Sequence, residues 1–452
     1  PFAAGLIPAE RATLDRILPG ASVYHLDITL SDDLTHLSGR EEVRYTNRED
    51  APLPEVVFRL FPNLLGGKAT VTNLTVNRQP AEPAFRLQES EMIVPLASPL
   101  AVGESVVIGM DFAVDVPTTA GSNYASFATL DGIAALAHFY PLIAVFDDEG
   151  WNAEIPPTYG DVVYADSSFY RVRVAAPAEV VLVASGVEAE SRREGGTQTV
   201  TYAAGPVRDF YLAASPRYTR HSQTVGQTTL HSYAPDSVAA SAEQALDYAA
   251  DALRTFDARF GDYPFTELDL IATPTLAGGI EYPGVVVVAL ALYERRGDFF
   301  ETATAHEVAH QWFYSVVGND QVDDPWLDES LVQYATWLYY RDVHGATGDA
   351  GFRRVLEGYW NRAQHADTPI GLPVAAYTEE EYGAIVYGRG PLFFDALAQT
   401  IGQEAMDALL RDYYRTYQWD IATPEGLQQL AEAHCDCDLS PLFREWVFGE
   451  GE

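Results

Sequence analysis

His306 and His310 stand four residues apart inside a run, Phe299 to Val317, that contains neither proline nor glycine. Such a run supports a helix, and on a helix that spacing puts both imidazoles on one face, one turn apart. Two imidazoles so placed suit two positions of a tetrahedral zinc. Glu307, beside the first histidine, can lean toward the same ion without binding it, where a general base for a metal-activated water belongs. One helix face cannot surround an ion, so a third donor must come from another element. Gly318-Asn319-Asp320 and Pro325 break the first helix. Leu327 to His344 is again free of proline and glycine, which places Glu329 in the first turn of a second helix. The expected centre is therefore one zinc per chain on His306, His310 and Glu329. The competing reading, two core histidines near a surface glutamate, predicts no such convergence.

Three stretches then fall in one order. H-E-V-A-H-Q-W-F followed by W-L-D-E-S resembles the gluzincin zinc metallopeptidases of the aminopeptidase N and leukotriene hydrolase family. G-G-I-E-Y-P-G at 278–284 resembles the family's G-x-M-E-N motif, and V-Y-G-R-G at 386–390 its Y-x-K-G motif. The resemblance is strong over about 210–400 and weaker before it. It implies a saddle-like β domain at 1–215 and a thermolysin-like catalytic domain at 216–452. The fold class is thus α+β, an all-β N-terminal half with antiparallel sheets before a mostly helical zinc domain.

Hydrophobic periodicity gives the same division. Between Ser22 and Ser215 the period is two: Tyr24, Leu26, Ile28 and Leu30 alternate with polar neighbours. So do Val106, Ile108, Met110, Phe112, Val114 and Val116, and later Tyr170, Val172 and Val174. These are half-buried strands. Pro8 to Leu18 is the one candidate helix of this half. After Tyr233 the period lengthens. Asp236 is placed to cap a helix bearing Leu246, Ala249, Leu253, Phe256 and Phe260. Leu268–Ala272 and Val285–Leu290 read as strands around the glycine-rich loop. Helices are then expected at 351–366, 390–400, 403–416, 424–433 and 439–447.

Composition excludes some partners. A formal net charge of −37 argues against nucleic acid and anionic membrane surfaces. The longest apolar run, Val285 to Leu292, is of strand length, so no membrane span is expected. Lys68 is the single lysine. The chain begins at Pro1 without Met, and a signal segment upstream, with an extracellular or cell-envelope location, is the expectation. Cys435 and Cys437 are too close for an unstrained disulfide and read as loop residues; with His434 they supply too few ligands for a structural metal site.

The resemblance also implies roles. Zinc would polarise a carbonyl and activate water, with Glu307 taking and returning the proton. Tyr387 aligns with the family's catalytic tyrosine, and a phenol suits an oxyanion; Tyr382 is the alternative. Arg389 replaces the family's lysine, keeping the charge with another geometry. Glu281 would anchor a substrate's α-amine, with Gly278 and Gly279 letting backbone approach. Ile280 and Tyr282 depart from the motif. Tyr140, in A-H-F-Y-P, occupies the place of a second amine partner, for which a phenol is a poor substitute. Asp328 and Gln333 are candidates to orient the zinc ligands. The implied function is a zinc aminopeptidase acting on peptides with a free N-terminus. The alternatives are a related endopeptidase or epoxide hydrolase, and a catalytically retired binding protein.

Overall fold

The computed structural model of the protein describes residues 1–121 and 123–449. They group into two compact units. The first comprises Pro1–Ile155, Ala165–Leu246 and Pro264–Gly297; the second comprises Pro156–Tyr164, Asp247–Tyr263 and Asp298 onward.

The first unit is built of strands. Its largest sheet runs in the order 187–194, 197–207, 168–177, 23–30, 36–46, 105–115, 68–76, 79–80. Most neighbours are antiparallel; Val23–Leu30 and Ser168–Pro177 pair in parallel. The alternation seen in the sequence is the burial pattern found. Val106, Ile108, Met110, Phe112 and Val114 are buried, while the residues between them are not fully so. Tyr24, Leu26, Ile28 and Leu30 behave in the same way. Two four-stranded sheets and a short hairpin complete the N-terminal half. A five-stranded sheet then follows the order 218–225, 228–235, 267–273, 285–289, 279–282. Its central strands are parallel and its two outer pairs antiparallel. Val285–Ala289 is wholly buried, as expected of a strand covered on both faces.

The expected helix at Pro8–Leu18 is only a 3-10 turn, Pro8–Glu10, and a short helix, Thr13–Ile17. Asp236 does not cap the helix after it. It begins a 3-10 turn, Asp236–Val238, that runs directly into the helix Ala239–Phe260, so the backbone continues with no capping bond from its side chain.

The second unit is helical. The motif helix is Asp298–Ala309. It ends eight residues earlier than the proline- and glycine-free run allows, because Phe313 and Val317 form a bridge and Tyr314 turns back with a positive φ. The glutamate helix, Glu329–Arg362, is longer than expected; the two helices read from the sequence are joined through a kink at Gly345, φ 60° and ψ −151°. Glu379–Ala384 opens with a capping box between Thr378 and Glu381 and passes into a π-helical turn, Ile385–Arg389. Gly390–Ile401, Gln403–Thr416 and Pro424–Cys435 follow close to their expected bounds. The core here is aromatic: Trp326 meets Phe393 and Phe394, Tyr334 meets Phe394, and Trp312 meets Phe256.

Cys435 and Cys437 are joined as a disulfide, against the expectation from their spacing. Asp436 between them takes a left-handed conformation, φ 50°, that turns both side chains to the same side. No helix among the described residues is long and apolar enough to cross a membrane.

Candidate metal centre and active site

The motif helix and the start of the glutamate helix bring three donor atoms together. His306 Nε2 and Glu329 Oε2 are 3.1 Å apart, His306 Nε2 and His310 Nε2 3.2 Å, and His310 Nε2 and Glu329 Oε2 3.5 Å. Ligands at zinc bond lengths in a tetrahedron lie about 3.3 Å from one another. The donor set and its spacing therefore fit zinc. Two ring nitrogens and a carboxylate oxygen cannot all satisfy one another by hydrogen bonds, and a shared cation resolves this. His310 lies just past the assigned helix, but its N–H still reaches back to the His306 carbonyl, so the helical register survives.

The opposite edges of both rings are held. His306 Nδ1 donates to Gln333 Oε1 at 3.1 Å, one helical turn beyond Glu329. His310 Nδ1 lies 2.6 Å from Asp328 Oδ1, and Gln321 donates to the other oxygen of that carboxylate. These contacts leave both Nε2 lone pairs facing the shared centre. Burial works to raise the Glu329 carboxyl, but hydrogen bonds and charge from both histidines outweigh it and hold the group well below the usual carboxylate range. Its neighbour behaves oppositely. Burial pushes the Glu307 carboxyl well up; His310 opposes this, while Glu329, Asp161 and Asp328 add to it. One carboxylate is thus ready to ligate and the other to hold a proton.

Tyr387 sits in the π-helical turn, its ring 6.0 Å from that of His306. Burial raises its hydroxyl pKa, as do the charge of Glu329 and a hydrogen bond to it. Two glycines permit this approach. A Cβ on Gly388 would stand 2.5 Å from the backbone nitrogen of Trp360, and one on Gly390 would overlap the Ser330 hydroxyl, which donates to the Val386 carbonyl. The turn is therefore pressed against the glutamate helix. Tyr382 is buried behind Tyr387, with ring centroids 5.8 Å apart.

Arg389 is a correction. It is buried, and its guanidinium donates to the carbonyls of Thr368, Glu445 and Trp446 and lies over the Trp446 ring. It ties the C-terminal segment down, with both terminal nitrogens engaged by backbone carbonyls. Tyr140 is another. It is buried in the first unit, its hydroxyl donating to Asp209 and accepting from the Phe210 N–H. A phenol so engaged, between Tyr24 and Tyr170, offers nothing to an amine. Glu281 lies buried on Gly279–Tyr282, an edge strand of the five-stranded sheet, with Gly278 just before it.

Spacing gave no sign of Asp161. It belongs to the segment Pro156–Tyr164, which groups with the helical unit although it comes from the strand-rich half of the chain. Tyr159 donates to the Tyr377 carbonyl at 2.6 Å, and Gly160 packs against Val374 and Tyr382. Asp161 follows, and its charge acts on both Glu307 and Tyr387.

Residues 244–446 match the model of the Peptidase family M1 domain. Over these residues the chain is similar to the aminopeptidase N-like gluzincin peptidases. It is 26% identical to Aminopeptidase 2 of Candida albicans over 304 residues, 61% of this chain and 32% of that protein. It is 22% identical to human Endoplasmic reticulum aminopeptidase 1 over 447 residues, 92% of this chain and 46% of that one. The chain thus spans about a third to a half of the length of these curated relatives. The M1 zinc metallopeptidase of Deinococcus radiodurans shares the whole fold, with a TM-score of 0.70 at 22% identity, covering 96% of this chain and 94% of that one. The matched stretch starts within the helix Ala239–Phe260 and takes in the candidate metal centre and the π-helical turn.

Proposed function

We propose that the protein is a zinc-dependent aminopeptidase that hydrolyses N-terminal residues from peptides. The observation that carries this reading is the convergence of His306 Nε2, His310 Nε2 and Glu329 Oε2 at zinc-ligand separations, with Glu307 and Tyr387 beside them. Relatives named as aminopeptidases support it, as does the zinc metallopeptidase fold. Zinc, when bound, supplies Lewis-acid polarisation of the scissile carbonyl and lowers the pKa of a water. Glu307, buried and with a raised proton affinity, accepts a proton during attack and returns it to the leaving nitrogen. Tyr387 donates its hydroxyl to the oxygen on which negative charge develops. Gln333 and Asp328 keep both imidazoles in the ligating tautomer. Glu281 receives the substrate's α-ammonium.

The test is metal analysis together with an assay on free and N-blocked aminoacyl substrates. Stripping the metal should abolish turnover, and zinc should restore it. Glu307→Gln should keep its zinc and lose roughly 100- to 10,000-fold in kcat. A Glu307→Gln protein with near-normal turnover would remove Glu307 from the role of base. Equal cleavage of free and blocked substrates would move the reading to an endopeptidase.

A further inference from the structure

We propose that the five-stranded sheet carries a second divalent-cation site, formed by His231, Glu267 and Asp269 and separate from the His306–His310–Glu329 centre. Glu267 and Asp269 are two residues apart on one strand, so they project from the same sheet face. His231, on the adjacent parallel strand, is in register with Asp269. One donor atom from each of the three lies within 4.8 Å of the other two, and His231 Nε2 is 3.6 Å from Glu267 Oε2.

Two further observations point to a ligand. The imidazole is already oriented: Ser222, in register with His231 on the next strand, sits with its hydroxyl 2.7 Å from Nδ1. Accepting from Nδ1–H, it leaves the Nε2 lone pair facing the two carboxylates, the arrangement that fixes a metal-ligating histidine. Asp269 is 3% exposed, and its Oδ1 has no hydrogen-bond partner. A buried carboxylate oxygen without a donor is costly unless a cation faces it. Arg220 acts electrostatically on both carboxylates, but its side chain is hydrogen-bonded to Tyr233 and brings one charge against two. One imidazole and two carboxylates suit a borderline first-row divalent ion such as zinc or manganese, with water completing its shell. The ion would clamp the strand Thr228–Pro235 to Glu267–Thr273 and serve the sheet, not the reaction.

The experiment uses the full chain with His306→Ala and His310→Ala, which removes the first centre. After chelator treatment it is dialysed against zinc or manganese, and the bound metal is counted by mass spectrometry. One ion per chain should remain. Adding Asp269→Asn or His231→Gln should abolish it, with circular dichroism confirming a folded chain. Ser222→Ala keeps all three donors but frees the ring, and should weaken binding roughly 10- to 100-fold. Binding should also raise the melting temperature of the double variant. A folded double variant that retains no ion overturns the proposal, as does retention unaffected by Asp269→Asn and His231→Gln. The proposed function is read separately: Asp269→Asn alone should still hold one zinc at the first centre.

Discussion

Tyr387 and Asp161 approach Glu307 and Glu329 from opposite directions in the chain. In the proposed mechanism the Tyr387 hydroxyl bears on charge that develops only during the reaction. Tyr387→Phe should therefore lower kcat on the order of 100- to 1,000-fold with little change in KM, as steady-state kinetics on one aminoacyl substrate would show. An equal loss in Tyr382→Phe with none in Tyr387→Phe would transfer the role. Asp161 acts through Glu307. Its negative charge, with those of Glu329 and Asp328 and against His310, adds to the effect of burial in raising that carboxyl. Asp161→Asn should lower the proton affinity of Glu307. The acid limb of the kcat/KM profile, where the base becomes protonated, should then move to lower pH. An unmoved or upward-moving limb would remove Asp161 from the environment of the base. His306, His310 and Glu329 are readable in the sequence because helical spacing and helix-breaking residues act over short range. Asp161 is not, because no periodicity links it to a helix begun more than a hundred residues later. Tyr140 and Arg389 mislead for a related reason: alignment gives a position, while burial and hydrogen bonding decide what a side chain meets.

Among the elements, the π-helical turn Ile385–Arg389 depends most on what it lacks. Gly388 lies where a methyl group would strike the backbone of Trp360, and backbone in a packed helix has nowhere to go. Gly388→Ala should cost about 1–3 kcal/mol of stability, read as a lower melting temperature. It should also reduce kcat, because Tyr387 is carried on the same turn. A stable, fully active variant would mean that the two helices are not tightly apposed. Strands such as Val23–Leu30 and Ser105–Asp115 are legible because their alternation matches burial residue by residue; Ile133–Leu136 and Val187–Glu194 show no such alternation. Helix ends are less legible. The motif helix stops at Ala309 and a local bridge between Phe313 and Val317 follows, a turn that the absence of proline and glycine does not reveal. The glutamate helix runs through Gly345, where a glycine normally argues for an end.

Across the whole molecule, acidity has an internal side as well as a surface one. Burial, with the charges of Asp320, Glu425 and Asp323, pushes the Asp324 carboxyl up to about 7. The folded chain therefore holds a proton there that the unfolded chain releases near its ordinary value. Stability from this group is full below about pH 4 and is lost as pH rises to about 7. Asp324→Asn does not titrate, so its melting temperature should gain on the parent protein across that interval and run parallel above it. A variant that lost ground to the parent as pH rose would contradict the assignment. The threading of Pro156–Tyr164 into the helical unit has a consequence for how the chain is made. Tyr159 leaves the ribosome 218 residues ahead of Tyr377, whose carbonyl it will meet. Until Tyr377 has been made, that segment waits with its tyrosine and Asp161 unplaced. The surroundings of Glu307 and Tyr387 are then completed late, when residues made long after Asp161 fold around a segment already waiting for them.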